Sequence, residues 1–123
     1  MKQGAHCLKL QSARRSAFAK VVLTATPAEK WLEITFNAAE ESRWWLPEIE
    51  FGIRYACDQL RFSSQKLEKG VHISIDEVQA TVVDTSQMAM AYTASLAFFD
   101  AVEISPDELP TYDPKTHIVT FPA

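Results

Sequence analysis

The sequence predicts an α+β protein, a two-layer sandwich in which about four strands form one sheet and two helices cover one of its faces. Three observations carry this expectation. Stretches with apolar residues at every second position lie before, between and after two segments with three- and four-residue spacing. The resulting order is β-β-α-β-α-β. Finally, a chain of 123 residues, 47% apolar and 23% charged, has enough apolar material for one packed core but not for a second. Such a chain hides roughly two thirds of its unfolded surface without a disulfide or metal staple.

The first sixteen residues show no sustained period and are expected to be loose or an added strand. Phe18 to Thr26 is β-branched and alternates, with Val21, Leu23 and Ala25 on one face. Pro27-Ala28-Glu29-Lys30 reads as a turn. Leu32, Ile34 and Phe36 then alternate against Trp31, Glu33 and Thr35. Two strands joined by so short a turn are expected to form a hairpin. Pro47 suits a first helical turn, and Leu46, Ile49, Ile53, Cys57 and Leu60 make one apolar stripe opposite Glu50, Arg54, Asp58 and Arg61.

Phe62 to Gly70 is a polar loop, and His72 to Val83 is a long extended segment. Its apolar phase changes midway: Ile73 and Ile75 are followed by Val78, Ala80 and Val82, so a bulge is expected near Asp76-Glu77. Asp84, with Gln87 three residues on, is the expected cap of the second helix. Between Gln87 and Asp100 that helix carries no charge, which predicts burial on more than one side. Residues 104–123 are expected to be an extension, with a turn at Asp113-Pro114-Lys115-Thr116 and a last edge strand at His117 to Phe121.

Chemistry is sparse. His6, His72 and His117 have no metal-ligand spacing, and Cys7 and Cys57 are too few and too far apart for a zinc site or a disulfide framework. Glu40-Glu41, Asp76-Glu77 and Asp107-Glu108 are adjacent acids, which lack the opposed environments that split catalytic carboxylates. Phosphate-cradling glycine motifs and the GxSxG nucleophile motif are absent. The expectation is a protein that is not an enzyme and takes no metal, nucleotide or other cofactor. No apolar stretch approaches the ~20 residues of a membrane span, and the N-terminus lacks a signal-peptide core, so a cytoplasmic location without membrane contact is expected.

Charge is unevenly placed. Residues 1–20 carry Lys2, Lys9, Arg14, Arg15 and Lys20 with no acid, a charge of +5, whereas residues 21–123 sum to −9. A basic arm can contact phosphate, or can be an ordinary solvated terminus. Trp45 is expected to pack at the start of the first helix. For Trp44 a core-edge position and an exposed interface position are equally open.

Several stretches, in order, resemble the fourth domain of translation elongation factor G and its relatives, including the ribosome-protection proteins. Ala17-Phe18-Ala19-Lys20-Val21-Val22-Leu23 looks like that family's first strand. Trp45 to Arg54 is similar to its Tyr-Ile-Pro-x-Val-x-x-Gly helix start. Ile73 to Met90 aligns without a gap to its long strand and next helix opening. The resemblance covers about residues 12–103 of a single domain spanning 1–123. It implies the fold of the second domain of ribosomal protein five of the small subunit, with a left-handed βαβ crossover.

The resemblance further implies a tip whose loops touch RNA in the decoding centre, and there the sequence departs. The family's Gly-rich loop is replaced by Gln11-Ser12-Ala13-Arg14-Arg15-Ser16, and Thr81 stands where it has a tip histidine. Its loop between first helix and long strand is replaced by the unrelated Phe62 to Gly70. Two functional expectations follow. One is a non-catalytic module that contacts the ribosome or RNA through Arg14, Arg15, Lys20 and Thr81. The other is a protein-interaction module or homodimer that uses Trp44, the acidic body and the largely uncharged second helix.

Overall fold

The computed structural model describes residues 1–11 and 16–122. Four strands, β1 (Gln3–Gln11), β2 (Ser16–Ala28), β3 (Leu32–Phe36) and β4 (Gly70–Gln79), form one sheet in the order β1-β2-β4-β3. β1 pairs antiparallel with β2, and β2 with β4, while β3 runs parallel to β4. With α1 (Leu46–Phe62) and α2 (Gln87–Val102) on one face, this is a two-layer α+β sandwich. The first residues supply an added strand, β1, on the sheet edge.

The expected hairpin between β2 and β3 is not formed, because β4 lies between them. Side-chain alternation reports which face a strand buries, not which strand it pairs with. β4 buries Val71, Ile73 and Ile75 against the helices and occupies an interior position, with β2 on one side and β3 on the other. The β3–α1–β4 connection is the crossover that parallel pairing requires.

The phase change in β4 is a bulge where the sequence places it. Leu23 pairs with Ile75 and Val22 with Glu77, so Asp76 is the extra residue. Beyond it Val78 turns inward, opposite Val21. The strand stops at Gln79, however, and Val82 is 99% exposed rather than inward-facing. Threonines close the chain into a turn there: Thr81 Oγ1 accepts from the Asp84 amide at 3.0 Å, and Thr85 Oγ1 accepts from the Thr81 amide at 2.8 Å. Asp84 is therefore a turn residue, and the cap of α2 is Ser86, whose side chain accepts from the Ala89 amide at 3.0 Å.

α2 is buried along most of its length, as its lack of charge requires. Its buried hydroxyls are satisfied locally, Thr93 by the Ala89 carbonyl at 2.8 Å and Ser95 by that of Tyr92 at 2.7 Å. Two glycines let neighbouring backbone approach it. A Cβ at Gly52 of α1 would collide with the Ala91 carbonyl, and one at Gly4 of β1 would collide with the backbone of Ala97 and Ala101. His6 packs edge-on against Tyr92 at 5.9 Å, and burial lowers its pKa although Asp100 opposes the shift.

Residues 104–122 form a strap over the helices. β5 (Thr111–Tyr112) and β6 (Val119–Thr120) make a separate two-stranded ladder against α2, so the last strand does not join the main sheet. Asp113 holds the intervening turn by accepting from the Lys115 amide at 2.8 Å. Phe121 then packs edge-on against Phe51 and Tyr55 of α1, at 5.6 and 4.9 Å, and the Tyr55 hydroxyl donates to the Pro122 carbonyl. The strand is placed by these aromatic contacts, which a short alternating run does not reveal.

Gly52→Ala is expected to push α1 and α2 apart and destabilise the protein by about 1–3 kcal/mol. Urea denaturation should show a lower midpoint with an unchanged slope, whereas exposed Glu68→Ala leaves the midpoint in place.

Candidate functional site at the hairpin end of the sheet

The end of the β1–β2 hairpin and the turn between β4 and α2 meet at one end of the molecule. Gln11 and Ser16 are the last paired residues of the hairpin. The Phe18 amide donates to the Asp84 carbonyl at 3.1 Å, and Thr85 Oγ1 donates to the Phe18 carbonyl at 2.6 Å. These bonds fix the turn against β2. Lys9, Gln11, Ser16, Phe18, Thr81 and Asp84 then line an open cleft of about 200 Å³.

Charge in this region is mixed. Lys9 sits opposite Phe18 on the uncovered face and has no ion-pair partner among the described residues. Lys20, two residues further from the hairpin end, pairs with Glu77 across the β2–β4 ladder at 3.2 Å. The Lys20 ammonium holds the Glu77 carboxyl below its ordinary range, assisted by Gln79 Nε2 at 3.1 Å. Thr81 is exposed, but its hydroxyl is engaged in the turn. Arg14 and Arg15 lie outside the described residues.

The geometry thus brings Thr81 to the hairpin end, leaves Lys20 nearby with its charge paired, and adds Lys9. The signal for Lys9 is present in the sequence: Gly4, His6, Leu8 and Leu10 alternate inward and put Lys9 outward. A run containing glycine and histidine is easily passed over as aperiodic. Also hidden in the sequence is a polar network on the uncovered face. Asp76 accepts from Thr24, from Ser74 at 2.8 Å and from Gln3 at 3.3 Å, and His72 Nε2 lies 2.7 Å from Thr35 Oγ1. Apart from Ser74 and Asp76, two residues apart on β4, only strand order makes these residues neighbours.

Trp44 is elsewhere, in the short 3-10 helix Glu40–Trp45, and is 79% exposed. Trp45 packs against the core as expected. Next to that helix, Pro47, Phe51, Met88 and Ala91 line an apolar groove of about 230 Å³ between the starts of α1 and α2. The remaining reactive groups offer little chemistry. The buried Cys57 thiol is pushed up to about 11, mainly by burial, so it stays protonated at neutral pH. Among the described residues no group of three or more His, Cys, Asp or Glu side chains could hold a metal ion. Nor, among the described residues, is any helix long and apolar enough to cross a membrane.

These features define a small two-layer α+β domain with one uncovered, polar sheet face. No family model matches the chain, and no curated protein matches it in sequence. It is similar to a solved structure from Thermus thermophilus, with a TM-score of 0.67 and 22% identity over 79% of this chain. The match spans 15% of that protein's chain. At this identity the likeness is one of fold.

Because the folded pKa of Glu77 lies below its ordinary value of 4.5, its pairing with Lys20 is present above that value. The pairing is lost as pH falls through the folded value. Carboxyl NMR titration should show Glu77 of the Lys20→Met variant moving back up toward 4.5, and an unmoved Glu77 would contradict the pairing.

Proposed function

We propose that this chain is a non-catalytic module resembling the fourth domain of elongation factor G, and that it contacts ribosomal or other RNA through phosphates at its hairpin end. The observation that carries the reading is Lys9, without an ion-pair partner among the described residues, at the end of the hairpin whose connecting sequence contains Arg14 and Arg15, and at the same end as the Thr81 turn. In the family that turn bears the tip histidine. The cations are offered as phosphate contacts, which position an RNA without reading its sequence. The −9 charge of residues 21–123 confines attraction for RNA to this end. Free Cys7 and Cys57 suit a reduced, cytoplasmic setting.

Exposed Trp44 and the Phe51–Met88 groove favour a second reading, a protein-interaction module in which this apolar patch is the contact.

Co-sedimentation with ribosomes at low and moderate salt distinguishes them. The RNA reading expects binding that weakens with salt, by about 0.7–0.9 logarithmic units per phosphate contact per tenfold salt change. Arg14→Glu with Arg15→Glu, or Lys9→Glu, should weaken it tenfold or more, and Glu77→Gln should strengthen it by releasing Lys20. Absence of binding at low salt, or binding indifferent to these changes and lost with Trp44→Ala, overturns the RNA reading in favour of the second.

A further inference from the structure

The two edges of the sheet are treated differently. Along β1, the Lys2 amide donates to the Ala101 carbonyl at 2.9 Å and the Ala5 amide to the Asp100 carboxylate at 3.0 Å. Lys9 follows on the same strand, so a second strand added here would meet a covered stretch and then a charge. β3 has no such backbone cover; its one charge, Glu33, lies on the uncovered face, and Arg43 stacks over the Phe36 ring at 4.8 Å. Its ladder with β4 uses the backbone of Trp31, Glu33, Thr35 and Asn37, as the Val71–Trp31 and Asn37–Ile75 bonds at 3.1 and 2.9 Å show. By alternation the N–H and C=O groups of Leu32, Ile34 and Phe36 point away from the sheet. Among the described residues they meet no backbone partner. Their side chains are apolar and half-buried, at the margin of the core.

We infer that β3 is the pairing edge of a homodimer, in which two copies join their sheets antiparallel about a two-fold axis at Ile34. The strand is complementary to itself in that register. Leu32 meets the partner's Phe36, Ile34 meets the partner's Ile34, and every outward backbone group gains a mate. On the uncovered face, exposed Glu33 falls opposite the partner's Thr35 and not opposite another acid. A two-fold placed elsewhere on the strand leaves outward groups of Leu32 or Phe36 unpaired. A five-residue edge makes a small interface, so the association belongs in the micromolar range. β3 is at the opposite edge of the sheet from β1, and the inference stands independently of the RNA reading.

Sedimentation velocity on the full chain, from low to high micromolar, tests it. The wild type should pass from monomer to dimer. Thr35→Glu sets two acids against each other at each symmetric pair and should weaken the dimer about three- to tenfold, while Thr35→Lys, facing Glu33, should tighten it by a similar factor. Thr35 lies on the uncovered face, outside the core, so both variants should keep the wild-type circular dichroism. Ile34→Pro removes an outward N–H that the monomer does not use, and should leave a folded monomer. A wild type that stays monomeric at high micromolar concentration, as it would if this edge awaited a strand from another protein, overturns the inference. So does a dimer indifferent to the charge placed at residue 35.

Discussion

The structure depends on the close burial of α2, a helix without charge before Asp100 in its last turn, between α1, the sheet and the C-terminal strap. Such a helix can be stable only where other groups cover most of its surface. Its alanines and Ser95 keep it thin, and the missing side chains of Gly52 and Gly4 let α1 and β1 come to backbone distance on two sides. Packing at that range gains dispersion contacts over many small atoms, and it also makes the helix intolerant of a single added methyl. The Tyr92–Tyr112 contact at 5.7 Å and the β5–β6 ladder cover the side that remains.

This arrangement places both candidate surfaces. Because α2 is anchored, the turn that leads into it is held at a set position, and the Phe18–Asp84 and Thr85–Phe18 bonds tie that turn to β2. The hairpin end is then a scaffolded surface on which Lys9 and Thr81 keep a fixed relation. The C-terminal end of the same helix shields β1, through Asp100 and Ala101. β3 lies at the other edge of the sheet, beyond β2 and β4, where no backbone or carboxylate caps its outward groups among the described residues. One buried helix therefore fixes the turn at the hairpin end and covers the β1 edge.

Much of the fold was legible in the sequence, for identifiable reasons. A change of apolar phase within one strand can only be a change of face, so the bulge at Asp76 could be located. Pro47 and the stripe from Ile49 to Leu60 marked α1, and the missing charge marked α2 as buried. Strand order was not legible from the residues, because alternation is blind to neighbours. The cap moved from Asp84 to Ser86 because Thr81 and Thr85 close a turn first, and that turn leaves Val82 in solvent. Of the candidate site, Lys20 and Thr81 could be placed near the hairpin end, but the Glu77 partner and the position of Lys9 needed the β2–β4 and β1–β2 registers. The exposure of Trp44 had no sequence signal beyond its neighbour being better placed for the core.

Native-state hydrogen exchange tests the central role of α2 most directly. If the helix is the element on which the fold depends, its amides from Met90 to Ala101 should exchange only by global unfolding. Their opening free energies should then match those of Val21 and Leu23 in β2. Amides of α2 that exchange with opening free energies more than about 1 kcal/mol below those of β2 would contradict it. They would show a sheet that holds together without the helix.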